Sequence, residues 1–167
     1  MNNPLCGKAT GKSAFRAHQS HFAMPVSVSK SFRFEAAHRL PWYDGPCKHI
    51  HGHSYELTVE LLGEPDKHGM VVDFKAIKRL VSPLIDQWDH ALLVAVEDEE
   101  LLGVAERLET RHAILPFDST AENLATYTAE FILTEGRTFL QEHRISSLTI
   151  AVRETTTCEA RITRSVD

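Results

Sequence analysis

At 167 residues and 18.8 kDa the chain has the length of a single domain, and two full domains in tandem are excluded. Its 43% apolar and 25% charged residues are those of an ordinary globular protein, and no stretch is long and apolar enough to enter a membrane. Eighteen Lys and Arg against 23 Asp and Glu leave a formal charge of −5 without a basic run, which disfavours nucleic acid as a partner.

Residues 1–23 mix Gly, Ser, Lys, Asn and His and lack the apolar core of a secretory signal, so they are expected to form a mobile extension. Met24 and Pro25 then precede the first periodic pattern, and a single domain is expected over residues 24–167. Three scattered cysteines, Cys6, Cys47 and Cys158, do not make a disulfide framework and suit a reducing cytoplasm.

From Ser31 the pattern alternates, with Phe32, Phe34, Ala36 and His38 on one face and Arg33 and Glu35 on the other, the signature of a half-buried strand. A second run puts His53, Tyr55, Leu57, Val59 and Leu61 on one face and Ser54, Glu56, Thr58 and Glu60 on the other. The loop between them holds Pro41, Gly45 and Pro46, which predicts an antiparallel hairpin with a long connection.

Gly63 and Pro65 end the strand. Asp73 then caps an amphipathic helix carrying Ile77, Leu80, Val81, Leu84, Ile85 and Trp88, which Pro83 should kink or split. Segment 97–109 is acidic and leucine-bearing, and its pattern fits a short helix without fixing one. Ser119 and Glu122 form a capping box for a second helix that carries Leu124, Tyr127, Phe131 and Ile132 and stops at Gly136. Two more alternating runs follow, Leu148, Ile150, Val152 and Glu154, then Ala160 and Ile162. The expected fold is α+β, a four-stranded antiparallel sheet in ββααββ order with two helices on one side.

The chemistry concentrates in CKHIHGH. His51 and His53 lie two apart at the start of a strand and project from one face, with Gly52 between them leaving room for close approach. His38 ends the preceding strand on its apolar face, and an antiparallel hairpin sets it beside them. Any one of them alone reads as a core histidine bonded to a backbone carbonyl. Burying three unpaired imidazoles together costs too much, so a metal ion is expected, held by three nitrogens with one position open, as in catalytic zinc sites. Cys47 could close that site as a fourth ligand, stand beside it as an activated thiolate, or fill space. Arg39, Lys48 and His49 lie close to the cluster without an assigned role.

FEAAHRL, CKHIHGHSYEL, GMVVDF, WDHALL, STAENLA and VRET occur in this order, and together they resemble the 6-pyruvoyl-tetrahydropterin synthase and 6-carboxytetrahydropterin synthase family over roughly residues 28–164. The short spacing from Cys47 to the HGH element resembles the bacterial 6-carboxytetrahydropterin synthases of the queuosine pathway. The resemblance implies a tunnelling fold, a homohexamer and active sites between subunits. It implies His38, His51 and His53 as zinc ligands, Cys47 as the catalytic thiol, Asp89 and His90 as an acid-base pair, Glu154 as the carboxylate that anchors the pterin, and Thr120 in the pterin pocket. Glu122 falls in the same pocket segment but suits the capping box first.

Without the resemblance, Asp89 and His90 would read as a charge pair at a helix end, and Glu154 as a solvated strand-end carboxylate. Two departures stand out: Val94 lies where relatives often carry Asn, and residues 96–116 are more extended than in compact members.

The implied reaction is a zinc-dependent conversion of 7,8-dihydroneopterin triphosphate to 6-carboxy-5,6,7,8-tetrahydropterin, with release of triphosphate and acetaldehyde. The alternatives are a 6-pyruvoyl-tetrahydropterin synthase, which stops after triphosphate elimination, and a non-catalytic pterin- or zinc-binding module.

Overall fold

A computed structural model of the chain describes residues 24–166; the extension expected over residues 1–23, and Cys6 within it, lie outside the described residues. Strands β1 (Val26–His38) and β2 (His51–Gly63) form the expected antiparallel hairpin, pairing from Val26 opposite Gly63 to His38 opposite His51. Strand β5 (Ile145–Arg153) pairs antiparallel with β2, and β6 (Glu159–Ser165) with β5.

The sheet nevertheless has six strands rather than four, and it is mixed rather than wholly antiparallel. Strand β3 (Ala91–Ala95) lies parallel to β1, and β4 (His112–Leu115) parallel to β3, in the order β4-β3-β1-β2-β5-β6. Helix α2 (Glu99–Arg107) connects β3 to β4 and packs on β3, whose Leu93 and Val94 are both fully buried although they point to opposite faces. A strand covered on both sides shows no polar-apolar alternation, which is why this unit lacks the pattern that marks the hairpin.

Helices α1 (Phe74–Trp88) and α3 (Ala121–Glu135) pack on the main core of the sheet. There Ile77, Val81, Leu84, Trp88, Leu124 and Ile132 meet Phe34, Tyr55, Leu57, Val59, Ile150 and Val152. Asp73 caps α1 as expected, its carboxylate accepting from Lys75 N, but α1 runs through Pro83 as one helix. Gly136 ends α3, and a short α4 (Arg137–Glu142) follows, so there are four α-helices instead of two among the described residues.

The N-cap of α3 is Thr120, whose Oγ1 accepts from Asn123 N at 3.3 Å, and not Ser119. Both residue types suit a cap; Ser119 is instead drawn into the interior by His38, described below.

Arg39 ties the end of β1 to α2. Its Nε and Nη2 donate to Asp98 at 2.7 and 2.6 Å, and Nη2 also donates to Glu100 at 2.8 Å. Asp98 is buried, caps α2 through Leu101 N, and has its carboxyl pKa lowered chiefly by Arg39. Removing one member of such a pair strands the other. Asp98→Ala is therefore expected to lower the unfolding free energy by about 2–4 kcal/mol in denaturant titration.

Because the folded-state pKa of Asp98 is depressed, its contribution is full above the unfolded value of about 3.9 and is lost as pH falls through the folded value. Asp98→Asn should accordingly flatten the acid limb of the stability curve.

Candidate active site

The register of the hairpin builds the site. His38 faces His51 directly across β1 and β2, His53 lies one same-face step further opposite Ala36, and all three rings share the face that carries Phe34 and Tyr55. Gly52, between the two β2 histidines, lies so close to β1 that a Cβ there would stand 3.3 Å from the Ala36 carbonyl oxygen. The ring centroids are 4.5 Å (His38–His51), 5.2 Å (His38–His53) and 4.8 Å (His51–His53) apart, and one nitrogen from each ring lies within 4.8 Å of the others.

Two of the rings are oriented by carbonyl groups. His38 Nδ1 lies 2.9 Å from the Ser119 carbonyl and 3.1 Å from its hydroxyl, and His51 Nδ1 lies 2.8 Å from the His49 carbonyl. A carbonyl oxygen can only accept, so both Nδ1 atoms carry a proton, and in the neutral ring each Nε2 keeps a lone pair. His51 Nε2 is buried and has no hydrogen-bond partner among the described residues.

Burial lowers the His38 pKa to about 4; the Ser119 carbonyl opposes this shift, and His51 and His53 add to it. The His53 pKa is lowered by burial and by His51. Three converging imidazoles, one with a buried nitrogen that lacks a partner among the described residues, fit a divalent cation.

Cys47 sits in a single 3₁₀ turn, Pro46–Lys48, and is half-buried; its sulfur is not part of the three-histidine cluster. Glu154 follows directly on β5. It lies one step past the Glu56–Arg153 pair, which puts it opposite Tyr55 on the histidine face. The Glu154 carboxyl pKa is raised by burial first and then by Glu122, while Tyr55 and His51 pull it down. Glu122, in the first turn of α3, therefore acts on the site electrostatically instead of closing a capping box. Thr120 is the α3 cap beside it.

Asp89 and His90 bond to each other directly, Nδ1 to Oδ1 at 2.9 Å, a contact that adjacency in sequence alone does not guarantee. Asp89 caps the C-terminus of α1, and its carboxylate accepts from Glu35 N at 2.9 Å, which is the chief reason its pKa is lowered. His90 takes a left-handed φ of 57° and donates its backbone N–H to the Glu35 carbonyl. Their side chains remain 41% and 75% exposed. His90 borders an open cavity of about 510 Å³ whose lining includes Glu35, Ala37, Gly52 and Ser54, on strand positions opposite in pleat to the histidines, and also His53 and Arg111. The structure thus gathers the three histidines and Glu154 around Tyr55, and sets the Asp89–His90 pair outside that cluster, at a cavity that His53 also borders.

Three participants escape a reading of the sequence: Ser119, Tyr55 and the charge of Glu122. Ser119 resembles a cap and Tyr55 a core aromatic. Arg39, near the cluster in sequence, is held by Asp98 and Glu100.

His51→Ala removes an orphaned nitrogen from a half-buried ring. It should leave the melting temperature of the metal-free protein within about 2 °C of wild type, yet weaken divalent metal binding at least about 100-fold in competition with a chromophoric chelator. Ser119→Ala keeps the carbonyl acceptor but loses the hydroxyl, and should weaken metal binding about tenfold in the same assay.

The sequence profile described as 6-pyruvoyl tetrahydropterin synthase matches residues 27–165. A protein of Haemophilus influenzae named 6-carboxy-5,6,7,8-tetrahydropterin synthase is 36% identical over 108 residues, 60% of this chain and 77% of that protein. One of the same name from Aquifex aeolicus is 34% identical over 133 residues, 65% and 80% respectively. Among solved structures, the 6-pyruvoyl tetrahydropterin synthase of Plasmodium falciparum superposes with a TM-score of 0.69 at 21% identity, covering 86% of this chain and 99% of that one. That of Caenorhabditis elegans gives 0.56 at 28% identity, with 86% and 98% covered. With the profile spanning nearly all of the described residues, the six-stranded sheet and its helices are those of the tunnelling fold, and the chain belongs to the 6-pyruvoyl tetrahydropterin synthase family.

Proposed function

We propose that the protein is a zinc-dependent lyase that converts 7,8-dihydroneopterin triphosphate and water to 6-carboxy-5,6,7,8-tetrahydropterin, triphosphate and acetaldehyde. The observation that carries this reading is the convergence of three imidazoles, including the buried His51 Nε2, one strand away from a half-buried carboxylate. The bacterial relatives named 6-carboxy-5,6,7,8-tetrahydropterin synthase favour this product over others.

On this reading His38, His51 and His53 hold the zinc. Bound there, zinc would supply a Lewis acid for the oxygens of the substrate side chain. Glu154 accepts paired N–H donors from the pterin ring and so fixes the ring relative to the histidines, with Thr120 and Glu122 bordering it at the head of α3. Cys47, outside the metal cluster, is free to act as a thiolate base on a side-chain carbon. His90, held by Asp89, exchanges the second proton.

The Asp89–His90 pair is exposed and lies outside the histidine cluster of its own chain, which supports a homo-oligomer, a hexamer by family resemblance, in which the pair of one copy completes the site of its neighbour. Residues 91–116, with their extra parallel strands, are the part of the chain next to that pair.

A second reading, 6-pyruvoyl-tetrahydropterin synthase, is favoured by the name of the family profile and of the solved relatives. Incubation of the zinc-loaded protein with the triphosphate should yield 6-carboxytetrahydropterin by chromatography and stoichiometric acetaldehyde. Product without acetaldehyde selects the second reading, and no conversion overturns both.

Cys47→Ala and His90→Ala are each expected to lower kcat at least about 100-fold with zinc retained. Refolding the two variants together should restore part of the activity, since mixed assemblies contain some intact shared sites. Failure to restore any would place all catalytic groups in one chain.

A further inference from the structure

Tyr55 is fully buried, with 0% of its surface exposed, and its ring stacks on Phe34 at 4.9 Å and 6°. Its hydroxyl has two hydrogen-bonding neighbours among the described residues, His38 Nε2 at 3.4 Å and Glu154 Oε1 at 3.5 Å. Both are acceptors. The Ser119 carbonyl keeps the His38 proton on Nδ1, so Nε2 offers only a lone pair, and an ionised carboxylate has nothing to donate. A phenol has a single proton to give, and a buried one must place it somewhere. The nitrogen that would bind metal and the carboxylate that would bind the pterin therefore compete for the same donor.

A cation on the histidines takes the Nε2 lone pair and removes one competitor. We infer that Tyr55 is a positioning residue that couples the two halves of the site: when the histidines are metal-loaded, its hydroxyl turns wholly to Glu154, holding that carboxylate in one orientation. The preferred ligand is then a heterocycle presenting two adjacent N–H donors, and it binds better once metal is present. Metal-free protein, in which the hydroxyl is shared with His38, holds the ring more weakly. This ordering of metal before ring rests on the proposed roles of the three histidines and Glu154.

The test uses 6-methylpterin, whose side chain has no oxygen to reach a metal, so that its binding reports anchoring of the ring alone. Its dissociation constant is measured by fluorescence on chelator-stripped protein and again with one equivalent of zinc, for wild type and for Tyr55→Phe. The phenylalanine keeps the ring and its stack on Phe34, and an unchanged melting curve checks the fold.

Zinc should tighten binding to wild type about tenfold, equivalent to about 1.4 kcal/mol, and binding to Tyr55→Phe by no more than about threefold. A ratio in the variant equal to that of wild type, or no tightening in wild type, overturns the inference while leaving the histidine and Glu154 assignments standing. Failure of wild type to bind zinc or 6-methylpterin at all overturns those assignments themselves.

Discussion

The structure turns on the register that sets His38 opposite His51 at the end of a two-stranded hairpin. Two carbonyl groups near the site keep the imidazoles close together without letting them scatter. The Ser119 carbonyl, at the head of α3, fixes one ring, and the His49 carbonyl, at the end of the connecting loop, fixes another. Burial keeps the His38 ring neutral, which is the form that ligates, and leaves the buried His51 Nε2 without a protein partner among the described residues. Such an arrangement is costly in isolation and sensible around a cation.

The same hairpin separates two kinds of chemistry by its pleat. Phe34, Ala36 and His38 face the helices together with Tyr55, His53 and His51, while Glu35, Ala37, Gly52 and Ser54 face the open cavity beside His90. The Glu35 backbone is the hinge point, binding Asp89 through N–H and His90 through C=O. A single strand residue thus orients the Asp89–His90 pair beside that cavity.

The hairpin, both principal helices and the histidine cluster were legible because their side chains alternate or recur against a clear polar background. Strands β3 and β4 were not, since Ala91–Ala95 is buried on both faces and therefore carries no period. The cap of α3 was displaced by one residue because Ser119 and Thr120 are both competent caps; only the position of His38, 81 residues away in sequence, decides between them. The sequence placed Tyr55 on the apolar face correctly, but a tyrosine there differs from a phenylalanine by one proton that needs an acceptor. That need was the available signal, and Glu154 and His38 answer it. Arg39, close to the cluster in sequence and without an assigned role there, is held by Asp98, 59 residues away in sequence.

X-ray absorption at the zinc edge of the loaded protein tests the central claim most directly. The account predicts three imidazole nitrogens at about 2.0–2.1 Å and one further light-atom ligand, with no sulfur in the coordination sphere. A sulfur shell near 2.3 Å would make Cys47 a fourth ligand and the site a closed structural one, and a spectrum without imidazole scattering would remove the metal from these histidines altogether.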